Sequence, residues 1–381
     1  MRDATAAAVR RGHPWVYRDG VSHLAPDLRA GDAVTLGDAT GAPLGIGVVD
    51  PDSPIAVRVW SLDPRATLAE LFGARLERAL ARRDALFDER TTAYRLVHGE
   101  GDRMPGIVVD RYGDVAVVRA DGEAAAAVLE RNGRALSAAL VGRGLPRIVV
   151  KSRGAEAAMW GGGAAPADVR VLEHGVPFFV DVARGQKTGA FLDQRENRRR
   201  VGEWVRARGA ATVLNLFSYA GGFSQRAALA GARVTSVDVA AQAHATAQRS
   251  FKEAGLDPRG HEFVAADAFA FLDDAARAGR RWDVVISDPP SFAPSEKVVP
   301  RALASYRRLH RAAAGVVAPG GMLCAASCSS HVPMEAFAAT LDDASIGRSD
   351  LSLVAAYGAP EDHPTLAGWP EGRYLKLCVL T

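Results

Sequence analysis

The amino-acid sequence predicts an α/β protein in which a seven-stranded, mostly parallel sheet follows a small β-barrel and an α+β domain. Three observations predict this fold class. Short apolar runs separated by Gly, Pro and Asp fill the first 70 residues, and strand and helix patterns alternate from about residue 185. Prolines interrupt the stretch before the last strand, so we expect that strand to run antiparallel. These changes of pattern place three domains at residues 1–70, 71–180 and 181–381.

The first two domains are predicted element by element from apolar spacing. Apolar residues from Leu68 to Leu80 recur at helical spacing, which predicts a helix over about residues 67–88. A second helix is expected over about residues 123–140, and residues 110–114 supply a hairpin turn. Strands are expected at residues 33–36, 44–49, 55–60, 94–98, 106–110, 115–119, 147–151 and 176–180.

The third domain has the rhythm of a doubly wound sheet covered by helices on both faces. Its strands are expected at residues 212–216, 233–237, 261–265, 283–287, 321–327, 353–357 and 374–380. In such a sheet the fourth strand lies beside the first, and the fifth lies beside the fourth. Ligands bind at the carboxyl ends of the strands, where the strand order reverses. The residues directly after each strand are therefore the candidate site.

Composition excludes several classes of protein. Hydrophobic residues make up 48% and charged residues 24%, which is not the composition of a disordered or fibrous chain. Lys and Arg number 47 against 44 Asp and Glu, so a net charge of +3 is no overall reason to expect a nucleic-acid partner. No apolar run predicts a membrane span or a signal peptide. Three cysteines are too few for a disulfide framework and lack zinc spacing, so we expect a cytoplasmic protein without metal or membrane partner.

Polar residues follow the first three strands of the sheet. Residues 215–224 form a glycine-containing loop before a helix, and the loop lacks the GxGxxG pattern of a dinucleotide site. Asp238 follows the second strand, where a carboxylate can accept both ribose hydroxyls of a nucleoside. Asp267 and Ala268 follow the third, placed to meet an adenine edge. Each alone is as easily a turn or helix cap, but together they predict an S-adenosylmethionine site in a Rossmann-like methyltransferase domain.

The motif Asp288-Pro289-Pro290-Ser291-Phe292 follows the fourth strand. Two prolines fix the backbone and remove two N–H donors, which holds the chain rigid beside the sulfonium methyl group. Asp288 can then accept from, or share a proton with, a planar amine or ring nitrogen. The motif is typical of methyltransferases that act on bases or amides, and a structural Pro-Pro turn is the alternative.

Cys328 follows the fifth strand and is expected to face the same cleft as Asp288. Cys324 faces the same side of that strand but about 13 Å away, and Cys378 lies in an apolar strand, so both are expected in the core. A thiolate that adds at carbon 6 of a pyrimidine turns carbon 5 into a nucleophile, which is covalent catalysis. Methylation of a nitrogen needs no such cysteine.

These motifs make the chain resemble the bacterial large-subunit ribosomal-RNA cytosine-C5 methyltransferases of the RlmI type. Residues 12–17 look like the start of that family's RNA-binding PUA domain, and residues 100–112 look like part of its central domain. The C-terminal segments that match are residues 187–195, 215–224, 288–292, 327–329, 362–364 and 370–376.

The resemblance implies a class I methyltransferase domain and assigns roles to its residues. S-adenosyl-L-methionine would be bound by Phe217, Ser218, Tyr219, Gly221, Asp238, Asp267, Ala268 and Asp288, with Gln194 and Arg195 closing over the cofactor or the target. Cys328 would be the nucleophile and Asp288 the group that orients the cytosine edge. The substrate would also meet Lys187, Phe292, Pro289 and Pro290. The alternatives are that Lys187 only braces its loop and that Phe292 belongs to the core. Many related enzymes carry a second cysteine where this chain has Ser291, so the group that removes the carbon-5 proton is left open.

The expected partner is large-subunit ribosomal RNA with the target base flipped or unpaired. A small net charge is compatible with an RNA partner when the arginines are clustered and acidic residues elsewhere cancel them in the sum. The clusters are Arg10, Arg11 and Arg18; Arg75 to Arg83; Arg195 to Arg200; and Arg307, Arg308 and Arg311. The stripe of Arg75, Arg78 and Arg82 is either a solvated face or an RNA-facing patch. Two other functions stay open, an rRNA base N-methyltransferase using the Asp288 motif and a non-catalytic RNA-binding or ribosome-assembly protein. A homodimer is also left open.

Overall fold

The computed structural model describes residues 1–152 and 156–381. The chain folds as two compact units, and each is assembled from separated stretches of sequence. The first unit comprises Met1–Leu172, Val180–Leu192 and Glu361–Gly372, and the second comprises Glu173–Phe179, Asp193–Pro360 and Arg373–Thr381. The division into three domains at residues 70 and 180 stays a prediction.

The first unit begins with a helix and a four-stranded antiparallel sheet. The elements are α1 (Asp3–Arg10), β1 (Trp15–Tyr17), β2 (Ala33–Gly37), β3 (Pro43–Val49) and β4 (Ile55–Ser61), and the strand order is β1-β4-β3-β2. Glycine is needed inside β3, because a Cβ at Gly45 would overlap the carbonyl oxygen of Ser61. The predictions for β2, β3 and β4 are confirmed. Helix α1 was missed, because its buried face is only Ala6 and Val9 within a run of alanines.

The first unit also contains a second sheet, together with the helices α2 (Leu68–Asp84) and α3 (Glu123–Val141). The strands of this sheet are β5 (Ala93–His98), β6 (Ile107–Tyr112), β7 (Val115–Ala120), β8 (Arg147–Lys151) and β9 (Ala158–Met159). Its strand order is β5-β6-β7-β8-β9, and β7 pairs with β8 in parallel because α3 forms the crossover. Thr67 caps the start of α2: the backbone N–H of Glu70 donates to Thr67 Oγ1 at 3.4 Å, and Thr67 Oγ1 donates to the Glu70 carboxylate at 2.7 Å.

The expected basic stripe on α2 is wrong for Arg75. Its guanidinium is buried and donates to the carbonyl oxygens of Trp60 and Arg103. Burial also lowers the pKa of Arg75 to about 10. Arg83 is 0% exposed and pairs with Asp102. Helical spacing shows which arginines share a side of the helix, but the elements packed against that side decide which arginines reach solvent.

Two motif segments that lie far along the sequence pack within the first unit. Thr188 Oγ1 donates to the Asp110 carboxylate from the segment Val180–Leu192. Asp362 accepts the backbone N–H of Arg95 at 2.9 Å, and its carbonyl oxygen accepts from Arg83 at 2.6 Å. These motif residues therefore hold separated parts of the chain together in this unit. Strands β10 (Val169–Glu173) and β11 (Val176–Val180) form a two-stranded sheet of their own.

The second unit is built on a seven-stranded sheet in the described part of the chain. Its strands are β12 (Thr212–Leu216), β13 (Arg233–Asp238), β14 (Glu262–Ala265), β15 (Trp282–Ser287), β16 (Val317–Ser327), β17 (Leu353–Tyr357) and β18 (Lys376–Leu380). The order is β14-β13-β12-β15-β16-β18-β17, and β18 runs antiparallel to both of its neighbours. The predicted sheet and its antiparallel last strand are confirmed. The strand order reverses between β12 and β15.

Helices cover both faces of this sheet. They are α4 (Arg195–Arg208), α5 (Gly222–Leu229), α6 (Ala241–Glu253), α7 (Ala268–Arg277), α8 (Val299–Gly315) and α9 (Met334–Ser345). Residues of α4, α5 and α6 form one buried core with the sheet, and residues of α7, α8 and α9 form the other. Burial on both faces explains why the central strands are continuous apolar runs. Within residues 1–152 and 156–381, no helix has the length and apolar character required to span a membrane.

Candidate active site

The loop after β12 turns sharply at the point where the strand order reverses. Phe217, Tyr219 and Gly221 have φ angles of 57°, 45° and 76°, in the left-handed region. Such conformations are uncommon for residues with side chains, and they cluster where a chain is shaped around a ligand. A Cβ on Gly221 would lie 2.7 Å from the Cβ of Ala247 on α6, so a larger residue does not fit there.

Asp238 lies at the end of β13, and its carboxylate is held by the backbone. Its Oδ2 accepts the N–H of Tyr219 at 2.8 Å, and its Oδ1 accepts the N–H of Ala240 at 2.9 Å. Each oxygen retains a lone pair for another donor. The carboxylate is therefore oriented beside the β12 loop and can accept further hydrogen bonds there.

Asp267 caps helix α7, which is the alternative that the sequence left open. Its Oδ1 accepts the N–H groups of Phe269 and Ala270, each at 3.0 Å, and Ala268 is buried. Contact of Asp267 and Ala268 with an adenine edge stays a prediction.

Buried polar oxygens without a partner mark the same edge of the sheet. Among the described residues, Asn215 Oδ1, Ser218 Oγ and Ser287 Oγ are buried and accept or donate no hydrogen bond. Ser287 pairs in register with Leu216, so the three oxygens lie at the ends of two adjacent strands. Buried polar groups are normally paired, and a ligand with its own donors and acceptors would satisfy them. The donor set and the shaped loop fit a nucleoside-containing cofactor.

Gln194 is tied to Asp288, although the two residues are 94 positions apart. Gln194 Nε2 donates to Asp288 Oδ1 at 3.0 Å, and Gln194 Oε1 accepts from Asn197 Nδ2 at 2.7 Å. Gln194 is 3% exposed. The chain of amides therefore orients the carboxylate of the Asp-Pro-Pro motif, in which Pro289 is buried and Pro290 is exposed.

Two arginines of the predicted cluster at residues 195–200 lie inside the second unit. Arg195 is 2% exposed, and its Nε lies 3.1 Å from Glu196 Oε1. Arg198 is buried and paired with Glu173. Both residues are buried and pair with carboxylates of their own unit, so neither presents its charge to solvent, and the place of this cluster beside the cofactor loop stays a prediction. Closure of Arg195 over cofactor or target stays a prediction.

Lys187 belongs to the first unit, where its Nζ lies 4.5 Å from the centroid of the Phe191 ring. Its backbone has a φ of 52°. A contact of Lys187 with phosphate or base stays a prediction.

Cys328 comes directly after β16, which pairs in parallel with β15, the strand before Asp288. Cys328 is partly exposed, whereas Cys324 and Cys378 are buried in the core, as expected. Burial raises the pKa of the Cys324 thiol to about 12 and that of Cys378 to about 11. Of the three thiols, only Cys328 therefore has the exposure of a reactive group.

Hydroxyl groups fix the backbone on both sides of Cys328. The buried Tyr306 hydroxyl lies 2.8 Å from Ser327 Oγ and 2.9 Å from Ser329 Oγ. Ser291 Oγ, two residues beyond the first proline, shares a hydrogen bond of 3.0 Å with Ser329 Oγ. This network links the loop after β15 to the loop after β16.

The Phe292 ring, half-buried, lies 4.8 Å from the Tyr306 ring, which is the core packing that the sequence left as one alternative. Stacking of Phe292 on a base stays a prediction.

Sequence reasoning missed Tyr306 and Lys376 as residues of this site. Lys376 begins β18 and pairs in register with Ser327. A signal was present, because it is one of five lysines in the chain and stands in an otherwise apolar strand. Among the described residues, no group of three His, Cys, Asp or Glu side chains is arranged to hold a metal ion.

Residues 123–367 match the family of S-adenosylmethionine-dependent methyltransferases, and residues 1–62 match the PUA-like domain family. Fold and site together define a methyltransferase of the S-adenosylmethionine-dependent class, with S-adenosyl-L-methionine as its cofactor.

Similar proteins indicate which kind of methyltransferase this is. The chain is 34% identical to Ribosomal RNA large subunit methyltransferase I of Klebsiella pneumoniae subsp. pneumoniae, over 96% of this chain and 93% of the relative. It is 39% identical to Ribosomal RNA large subunit methyltransferase of Deinococcus radiodurans, over 98% of this chain and 94% of the relative. The protein belongs to the family of ribosomal RNA large subunit methyltransferases, which confirms the resemblance.

Two solved structures resemble the whole chain. A methyltransferase in complex with S-adenosylhomocysteine superposes with a TM-score of 0.88 at 25% identity, covering 100% of this chain and 98% of the other. A SAM-dependent methyltransferase from Streptococcus mutans gives a TM-score of 0.87 at 25% identity, covering 100% and 99%.

Proposed function

We propose that this protein methylates carbon 5 of a cytosine in large-subunit ribosomal RNA through a covalent adduct of Cys328. One observation carries the proposal: a partly exposed thiol directly follows β16, beside the strand that precedes Asp288. A nitrogen methyltransferase has no use for a nucleophile at that position, whereas carbon 5 of cytosine requires one.

Cys328 acts first. Its thiolate adds to carbon 6 of the cytosine, a sulfur–carbon bond forms, and the electron pair of the carbon 5–carbon 6 double bond makes carbon 5 nucleophilic. When bound, S-adenosylmethionine supplies the electrophilic methyl group. Transfer of the carbon-5 proton to water or to a nearby basic group then re-forms the double bond and expels the Cys328 thiolate.

Asp288 positions the base during these steps. Its carboxylate accepts from the exocyclic amine or shares a proton with the ring nitrogen, which offsets the charge that develops on the ring. Gln194 supports this role, because its amide already fixes Asp288 Oδ1 at 3.0 Å. A pre-oriented carboxylate needs no rearrangement when the base arrives.

The cofactor would be held at the strand ends around the strand-order reversal. Asp238 would accept the ribose hydroxyls, since its carboxylate is already oriented by two backbone N–H groups. Ser218 and Ser287 would pair their buried hydroxyls with its polar groups. The left-handed backbone of Phe217, Tyr219 and Gly221 shapes the loop around it.

Large-subunit ribosomal RNA is the proposed substrate because the relatives bear that name. The matched PUA-like domain and the exposed arginines Arg307, Arg308 and Arg311 of α8 support it, since phosphate contacts dominate RNA affinity. The target base would be flipped or unpaired, and Phe292 and the two prolines of the Asp288 motif are its proposed neighbours. An enzyme acting on ribosomal RNA would work in the cytoplasm.

The test uses ribosomal RNA from cells that lack the gene for this protein. Wild type is expected to produce 5-methylcytosine and, on RNA containing 5-fluorocytosine, a covalent complex that survives a denaturing gel, because fluorine blocks loss of the carbon-5 substituent. Cys328→Ala is expected to abolish both, whereas Cys324→Ala, a buried cysteine on the same strand, should retain both.

Two results would overturn the proposal. Methylation that persists in Cys328→Ala and maps to a base nitrogen supports an N-methyltransferase built on the Asp288 motif. Absence of both cofactor binding and methylation in wild type supports a non-catalytic RNA-binding protein.

A further inference from the structure

We propose that Lys376 is a positioning residue that keeps Cys328 in its thiolate form. The inference deepens the proposed function, because only a thiolate attacks carbon 6. The contact between the two residues can nevertheless be tested without RNA or cofactor.

The sheet places the Lys376 ammonium beside the backbone that carries Cys328. Lys376 pairs with Ser327, the residue before Cys328, across the antiparallel β16–β18 ladder. Its Nζ then donates to the carbonyl oxygen of Ser329, the residue after Cys328, at 2.8 Å, and to that of Tyr374 at 2.7 Å. Lys376 therefore contacts the residues on both sides of Cys328, one through its backbone and the other through its ammonium group.

This cation is buried without a carboxylate. The side chain is 1% exposed, and within the described residues it forms no salt bridge with Asp or Glu. Two carbonyl oxygens use two of its three N–H donors. A buried charge is costly unless an opposite charge or strong acceptor accompanies it. Cys328 and Cys378 are the groups whose ionised forms would interact favourably with Lys376.

The positive charge of Lys376 affects the ionisation of the two thiols differently. Cys378 is buried on β18, and its pKa stays at about 11 despite Lys376, so it remains a neutral thiol. Cys328 is partly exposed, so less desolvation opposes its ionisation. The same ammonium therefore selects Cys328 as the thiolate.

Two other titratable groups near Cys328 are coupled to its charge. Negative charge on Cys328 helps to raise the pKa of Tyr306 on α8, after the larger effect of burial, so that the phenol stays protonated. Burial lowers the pKa of Lys376 itself to about 8, so the amine is charged at neutral pH and loses that charge above about pH 8. Tyr306 on α8 and Cys378 on β18 are two titratable groups that interact with this pair.

If Lys376 had only a structural role, it would bind two carbonyl oxygens and would not change the reactivity of the Cys328 thiol. The distinguishing measurement is the pH dependence of Cys328 alkylation by iodoacetamide, read by peptide mass spectrometry on the free protein. Buried Cys324 and Cys378 serve as internal references that should stay unmodified while the protein is folded.

We expect wild-type Cys328 to reach half its maximal alkylation rate below pH 8.5, the value of an ordinary thiol. Lys376→Met removes the charge and is expected to raise that midpoint by about one pH unit, so alkylation at pH 7 slows about tenfold. Lys376→Arg retains the charge and is expected to alkylate close to wild type.

The inference is overturned if Lys376→Met is folded and leaves the midpoint unchanged. If Lys376→Met does not fold, the wild-type profile decides, and a midpoint at or above pH 8.5 refutes the inference. Failure of the proposed function is a separate result, because persistence of methylation in Cys328→Ala does not alter the alkylation profile of the wild-type thiol.

Discussion

Replacing Tyr306 by phenylalanine isolates the contribution of one hydroxyl to the loop that carries Cys328. The Tyr306 ring is packed between Phe292 and Phe337, with ring centroids at 4.8 Å and 5.2 Å, and phenylalanine preserves that packing. The change removes the hydroxyl that lies 2.8 Å from Ser327 Oγ and 2.9 Å from Ser329 Oγ. Any effect therefore reports hydrogen bonding rather than shape.

The magnitude follows from what the two serines retain. Ser327 Oγ still accepts the backbone N–H of Ser329 at 3.2 Å, and Ser329 Oγ still shares a bond with Ser291. Neither serine becomes an orphan, so the loss is two neutral hydrogen bonds at about 1 kcal/mol each. We expect the free energy of unfolding to fall by about 2 kcal/mol.

Urea unfolding of Tyr306→Phe against wild type measures this loss. Ser291→Ala is the matched control, because it removes one bond of the same network from an exposed residue and should cost less than about 1 kcal/mol. Methyl transfer by Tyr306→Phe should also fall, since the Cys328 loop loses two of its tethers. A stability loss below about 0.5 kcal/mol would refute the reasoning, because the network would then contribute nothing beyond the packed ring.

Two further predictions concern buried ionisable groups. Asp102→Ala leaves Arg83 buried without its partner and should lower stability by about 3 to 5 kcal/mol in urea unfolding, whereas a loss under about 1 kcal/mol would contradict a structural role. Burial lowers the pKa of His310 to about 3 from 6.5, so the unfolded chain alone binds a proton between those values. Between pH 6.5 and about 3, His310 should therefore lower stability by up to about 1.4 kcal/mol per pH unit, and urea unfolding of His310→Leu should show a pH dependence that lacks this contribution.

The strands of the second unit illustrate what local pattern predicts well. A buried strand in a parallel sheet is a short apolar run between turn residues, so β12 and β15 are legible from neighbouring residues alone. The same holds for Asp238 and Cys328, whose places follow from the strands that precede them. Helix α1 escaped because its apolar face is faint among alanines.

Local sequence patterns did not predict which side chains are buried or which distant residues contact each other. Arg75 has the spacing of a solvent-facing arginine, yet its guanidinium is buried against carbonyl oxygens of other elements. Gln194 meets Asp288 across 94 residues. No periodicity encodes which side chain from a distant segment fills a given space, because that depends on how the elements pack.

The sequence by itself determined the doubly wound sheet, the strand ends that form the site and the single cysteine at one of those ends. Apolar periodicity, turn residues and the geometry of parallel sheets depend on residues that are close in sequence, so the sequence alone is enough to predict them. Tertiary structure alone decided that Gln194 contacts Asp288 and that Lys376 contacts the residue after Cys328. Those relations arise from segments brought together by folding, where burial strengthens each charge and hydrogen bond.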